Sequence, residues 1–241
     1  MAVQKYLNFI PRLDGAVGRL RLVLTEGGCK KFAGLITFSI GKKLFMALTG
    51  LCFICFLAVH LVGNLTLYGG PGPFNAYVSS LESLGPLVTV AEIGLVLLAV
   101  VHIGTGLLLF YLNLRARPVR YRVYTSAGGR TIGSATMPYT GLIILGFVIF
   151  HLADFTMADR TGTTLYDIVA SAFSNPVHSA FYVFIMVVVA VHVSHGFWSL
   201  FQTLGMNHVK YTAPIQVLGI LVSIVFGAGF GLIPIALYLF V

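Results

Sequence analysis

Five long apolar runs organise the chain from Leu44 onward: about Leu44 to Leu67, Leu87 to Leu114, Tyr139 to Met157, Val177 to Leu204 and Pro214 to Phe240. A helix needs about 20 mostly apolar residues to cross the hydrocarbon of a bilayer, so each run predicts one spanning helix. Gly and Pro punctuate the breaks, with "YGGPGPFN" (Tyr68 to Asn75) after the first run, "LGP" (Leu84 to Pro86) before the second and "NP" (Asn175, Pro176) before the fourth. Such residues stop and start helices, and the loops are expected to be short and polar. No repeat, low-complexity tract or second domain is apparent. Residues 44–241 are therefore expected to form one five-helix transmembrane domain. Residues 1–43 form an N-terminal arm with basic charge and no signal-peptide pattern, expected to be retained on the membrane surface as amphipathic or irregular structure.

Composition narrows this to an all-α integral membrane protein. Hydrophobic residues are 58% and charged ones 9% of 241 positions, with a mean hydropathy of +0.94, far from a soluble domain. Eight Lys/Arg precede the first run, five (Arg115, Arg117, Arg120, Arg122, Arg130) lie between the second and third, and Lys210 lies between the fourth and fifth. Only Arg160 remains for the other side, where Asp154, Asp159 and Asp167 outnumber it. The positive-inside rule then predicts a cytoplasmic N-terminus. It also accounts for the net charge of +8 without nucleic acid, through topology and anionic lipid contacts.

Cysteine adds little. Cys52 and Cys55 form a CxxC inside the first run, but Phe56 stands where c-type haem attachment needs His; they are expected as small core residues. Cys29 is single.

Histidine adds more, because an imidazole in hydrocarbon needs a partner to offset its desolvation. His60, His102, His151 and His192 fall on four different runs. His102 follows Pro86, and His192 follows Pro176, by 16 residues, a depth of about 24 Å at helical rise. His60 and His151 each stand eight residues before a polar end, at Tyr68 and Asp159, within about 12 Å of the same surface. The four imidazoles thus form two layers, each drawing one His from each of two helices.

A zinc, copper or diiron site gathers three or four ligands round one point, which two separate layers cannot do. Two axial positions on a haem need one imidazole from each of two facing helices, so two layers imply two haems. Gly63, Gly104, Gly106, Gly146 and Gly196 lie near these histidines and would let a flat macrocycle approach, although glycine is also common at membrane helix contacts. His195, three residues from His192, competes as ligand; the equal offsets favour His192, leaving His195 to bond a propionate, a quinone or the backbone. His178 and His208 are expected in solvated or propionate-contacting roles.

"GKKLFMALTGLCFICFLAVHLVGNL" (Gly41 to Leu65) and "HVSHGFWSLFQTLG" (His192 to Gly205), with one His in each of the first four of five helices, resemble the cytochrome b membrane anchor of succinate:quinone and quinol:fumarate oxidoreductases, in the class with one large anchor and two haems b. The resemblance covers almost the whole chain. It implies that His60 and His151 hold the distal haem, and His102 and His192 the proximal haem near the dehydrogenase. It further implies a flavoprotein subunit carrying FAD that oxidises succinate and an iron-sulphur subunit that delivers electrons to this chain. Through the haems they would reach a membrane quinone, menaquinone being favoured. No dicarboxylate active site is visible here. The implied setting is respiratory complex II, multi-pass in a prokaryotic cytoplasmic membrane, with any higher oligomer left open.

A quinone site needs an apolar slot with polar groups at the carbonyl oxygens. One candidate set is Ser39, Lys42 and Lys43 with Trp198 and Gln202; the other is Asn64, Tyr68, Tyr77, Glu82 and Glu92. Glu92 is the acidic residue set well inside a spanning run, which makes it a functional candidate. Two other readings stay open: a dihaem cytochrome b of a hydrogenase or formate dehydrogenase, and a transporter using intramembrane histidines for protons or metal.

Overall fold

The computed structural model describes residues 39–116, 132–206 and 208–241. Packing divides the chain into Met1–Lys43 and Leu44–Val241, and the packing described below is that of the second unit. Most of the N-terminal arm, and Arg117, Arg120, Arg122 and Arg130, lie outside the described residues.

The described residues contain helices and no strand: α1 Ser39–Asn64, α2 Pro71–Glu82, α3 Pro86–Arg115, α4 Ile132–His151, α5 Leu165–Ser174, α6 Pro176–Thr203 and α7 Val209–Phe240. Five of them (α1, α3, α4, α6, α7) are long and apolar enough to cross a membrane. Large apolar side chains such as Val90, Val100, Ile149 and Val187 stand exposed along them, as a hydrocarbon solvent requires. Cys52 and Cys55 are also exposed rather than part of the core, since they fall on the outward face of α1.

Two expected starts move. α4 contains Pro138, and α7 contains Pro214, each of which the sequence reading places at or before the helix start. A proline near a helix start forfeits few backbone bonds, so the turns ahead of it persist. The connections expected to be short and polar instead carry helices. α2 opens with Pro71 at its first position after Gly70, whose φ of 82° is a left-handed conformation that glycine adopts freely. α5 is opened by a capping box, in which Thr164 and Asp167 bond each other's backbone N–H. It buries Tyr166, Val169, Ala170 and Phe173, the i, i+3, i+4, i+7 stripe of an amphipathic helix.

The Thr164 hydroxyl and N–H donors hold the Asp167 carboxyl below its ordinary pKa. A depressed carboxylate contributes its support above the ordinary carboxylate pKa and loses it as pH falls through the lowered value. The α5 cap is therefore intact at neutral pH and weakens only in acid.

α2 and α5 together cover one end of the bundle. The Tyr166 N–H donates to Asn75 Oδ1 at 3.3 Å, Arg160 pairs with Glu82 at 2.8 Å, and Phe74 meets Tyr166 edge to face at 6.3 Å. Beneath them Leu67, Phe173, Tyr182, Ile233 and Leu237 form an apolar cluster. A second cluster deeper in the bundle joins Leu61, Ile185, Met186, Val189, Val193 and Phe226. Both draw on α6 and α7, the pair in closest contact. α3 contrasts with them, for none of its residues is buried.

The α6/α7 contact is tight at Gly227, where an added Cβ would stand 2.9 Å from the Ala190 Cβ and 3.4 Å from the Met186 carbonyl oxygen. Neither neighbour can swing away. Gly227→Ala should destabilise the fold by roughly 1–3 kcal/mol through overpacking. Gly94→Ala on α3, where a Cβ meets nothing within 4 Å, should not destabilise it. Thermal unfolding of both variants in detergent micelles separates the two outcomes.

Candidate functional site

The four histidines lie on α1, α3, α4 and α6 and are half-buried. The His60 and His151 rings face each other across α1 and α4, centroids 6.0 Å apart and planes at 89°. His102 and His192, on α3 and α6, lie close enough to interact electrostatically. The structure thus brings together the same two pairs that the offsets along the sequence select. Among the described residues no three of His, Cys, Asp or Glu gather round one point, so the imidazoles form pairs and not a cluster.

The two pairs are held differently. The His102 Nδ1 lies 3.0 Å from the Thr49 hydroxyl oxygen of α1, and the His192 Nδ1 lies 3.0 Å from that of Thr140 on α4. A Cβ added to Gly50 would meet the Cε1 of His102 at 3.6 Å, and one added to Gly141 would meet the Cε1 of His192 at 3.5 Å. In the other pair, His60 Nε2 lies 3.4 Å from the Asn64 side-chain nitrogen, and the buried His151 Nδ1 has no hydrogen-bond partner among the described residues. Aromatic rings surround that pair: Phe56 stacks on His60, while Phe147 and Phe155 flank His151.

The seats of His102 and His192 expose a repeat that the sequence reading missed. Met46-x-x-Thr49-Gly50-Leu51 in α1 recurs 91 positions later as Met137-x-x-Thr140-Gly141-Leu142 in α4, and each Thr precedes a layer histidine, His60 or His151, by 11 residues. Pro86, His102 and Gly106 of α3 recur 90 positions later as Pro176, His192 and Gly196 of α6. Contacts recur with them, since the Met46 Cε approaches Gly106 and the Met137 Cε approaches Gly196. In this register Thr105 corresponds to His195, so His192 is the counterpart of His102. His195 packs against the start of α4, where a Cβ on Gly133 would stand 2.7 Å from its own. The signal was present in the sequence, but it rests on a few positions spread over two helices.

The remaining histidines have local partners. His208 caps α7 by accepting the Lys210 N–H on Nδ1. His178, in the first turn of α6, stacks on Tyr182 at 4.9 Å and brings Nε2 to 3.1 Å from Asp154 Oδ2. That contact is a close approach outside hydrogen-bond alignment. Tyr182 donates its hydroxyl proton to the same oxygen at 2.8 Å. Asp154 belongs to a π-helical turn, Leu152–Thr156, that directly follows His151. Sequence reading counted Asp154 only as a topology charge.

Of the polar residues considered for quinone, Asn64 lies beside His60 and the Tyr77 hydroxyl packs against Gly63 of α1, so these two converge. Glu82 is engaged by Arg160, while Tyr68 and Glu92 are exposed and stand apart. Ser39, Lys42 and Lys43 occupy the first turns of α1, and Trp198 and Gln202 the last turns of α6, with Gln202 exposed. The chain was compared with protein-family models, curated proteins and solved structures, and matches none.

Tyr182→Phe keeps the ring stack on His178 but removes the donor to Asp154, and should cost about 1.5–3 kcal/mol for a hydrogen bond to a carboxylate. Tyr238→Phe, on an exposed side chain, serves as the neutral control in the same micellar unfolding experiment.

Proposed function

We propose that this chain is the membrane anchor and dihaem cytochrome b subunit of a succinate:quinone oxidoreductase, with His60 and His151 holding one haem and His102 and His192 the other. The observation that carries the reading is the pairing of four imidazoles from four helices at two levels. A metal–imidazole bond is about 2 Å long, so two imidazoles that shared one metal ion would stand roughly 6 Å apart between centres. The 6.0 Å separation of His60 and His151 matches this. The unbonded Nδ1 of His151 and the lack of any buried residue on α3 also suit a flat apolar group held between helices. When bound, haem supplies one-electron transfer.

The residues of the chain do the rest. Paired imidazoles from facing helices fix the position of each group, and apolar walls exclude water. The Asp154 carboxylate, hydrogen-bonded by Tyr182 and approached by His178, offers a proton-carrying group beside His151. Asn64 and Tyr77, at the α2/α5 end, are the better-gathered of the quinone candidates. A membrane quinone, menaquinone by preference, is the acceptor in this reading. FAD, the iron-sulphur clusters and succinate chemistry belong to two soluble partner subunits. The chain sits in a prokaryotic cytoplasmic membrane with its N-terminus inside.

The first test is spectroscopic. Membranes containing the full chain should give a reduced-minus-oxidised b-type spectrum and two haems per polypeptide by pyridine haemochrome. His60→Ala or His151→Ala should remove one component and His102→Ala or His192→Ala the other, with both retained in His195→Ala. Loss of the same single component in His60→Ala and His102→Ala would overturn the pairing.

The second test concerns the soluble partners. Basic residues placed inside by topology would also attract an iron-sulphur subunit, with an attraction that weakens as salt rises. Neutralising Arg120, Arg122 and Arg130 together, with Arg115 and Arg117 left to hold orientation, should leave haem content normal while recovery of the co-purifying subunits is lost, or survives only at low salt. Identification of those subunits separates a succinate dehydrogenase from a hydrogenase or formate dehydrogenase. Unchanged assembly at every salt concentration would restrict these arginines to topology.

A further inference from the structure

We propose that Thr49 and Thr140 are positioning residues that hold His102 and His192 as the Nδ1–H tautomer, leaving Nε2 as the nitrogen that binds iron. The inference rests on the haem reading above and concerns how one pair of ligands is prepared for the group.

Each threonine hydroxyl carries a single proton. Thr49 Oγ1 lies 2.7 Å from the Phe45 carbonyl oxygen and 3.2 Å from that of Met46. Thr140 Oγ1 lies 3.1 Å from both the Thr136 and the Met137 carbonyl oxygens. Carbonyl oxygens only accept, so these contacts use the hydroxyl proton and leave the hydroxyl oxygen as an acceptor. The imidazole nitrogen 3.0 Å away is then the donor, and Nδ1 carries the hydrogen. A neutral imidazole with Nδ1–H has its lone pair on Nε2. Both threonines are buried, at 6% and 8% exposure, which keeps competing donors away from the hydroxyl.

The glycine that follows each threonine completes the seat. Gly50 and Gly141 lie against the Cε1 edges of the same two rings. Two copies of one device, in two stretches 91 positions apart, give the same distance to the same ring atom. Among the described residues His60 and His151 have no hydroxyl partner of this kind: His60 approaches an amide nitrogen and the His151 Nδ1 is unbonded. The device therefore belongs to one layer only.

Donation from Nδ1–H makes an imidazole more basic and a stronger electron donor to a metal. Such a ligand favours the ferric state, so removing the hydroxyl should raise the potential of that haem. Thr49→Val and Thr140→Val keep the β-branched shape and delete the hydroxyl; Thr49→Ser and Thr140→Ser keep it. The measurements are redox titration and electron paramagnetic resonance of the full chain in membranes, with whatever subunits accompany it.

Each Val variant is expected to shift upward the potential, and to alter the low-spin ferric signal, of the one component that His102→Ala removes, while the other component stays as in the wild type. Each Ser variant should restore wild-type behaviour. If a Val variant binds that haem about 10–100-fold more weakly, as loss of an outer-shell partner does, and Ser restores it, the hydroxyl is again the cause. Val variants with both components unmoved, or Val and Ser variants failing alike, overturn the proposal. Absence of haem from the wild-type chain would instead overturn the haem reading itself.

Discussion

Hydrocarbon supplies no hydrogen bonds, so a polar side chain within it must find its partner inside the protein. This constraint governs where the polar residues of the chain sit. Thr49, Thr140, Ser194, Thr203 and Ser223 each return a hydroxyl to a carbonyl three or four residues back. Two of these hydroxyls also stand 3.0 Å from an imidazole nitrogen of the neighbouring helix. The histidines are thus tied to their neighbours by the same groups that satisfy the helix interior.

The constraint also explains the uneven packing. α6 and α7 meet closely because Gly219, Gly227 and Gly231 let their backbones approach, which is how helices associate where no hydrophobic force drives them. α3 has no buried residue, and it meets α1 round His102, where Thr49, Gly50 and Phe53 approach the ring. A closely packed pair and a loosely packed helix therefore sit in one bundle, and His102 with His192 links α3 to α6.

Much of this was legible in the sequence. Apolar runs of spanning length fix five helices because the bilayer sets a minimum length that few other pressures mimic. The pairing of His60 with His151 followed from counting inward from polar ends, since helical rise turns residue number into depth. The end caps were less legible. α5 is a short amphipathic stripe opened by Thr164 and Asp167, and its signal is small beside the long runs around it. Pro138 and Pro214 misled the reading of helix starts because a proline is read as a boundary even where earlier turns survive it. The Thr–His bonds were illegible because they join residues 53 and 52 positions apart, and only packing reveals which helices are neighbours. The repeat that would have disclosed them is carried by Met, Thr, Gly, Leu and His at scattered positions. The partner subunits and quinone of the proposed function leave no comparable mark on the described residues.

The arrangement of the pairs has a consequence for how the molecule is made. Each Thr–His seat lies within one half of the chain, α1 with α3 or α4 with α6, whereas each His–His pair takes one member from either half. The Arg160–Glu82 and Tyr166–Asn75 links likewise join the end caps of the two halves. A ribosome delivering the chain from its N-terminus can finish the first seat early, but the His60 and His151 pair waits for α4 and the His102 and His192 pair for α6. Biogenesis therefore passes through a stage in which the first two spans are inserted with two imidazoles unmatched; a group gripped by His60 and His151 is acquired only after the third span arrives, and one gripped by His102 and His192 only after the fourth.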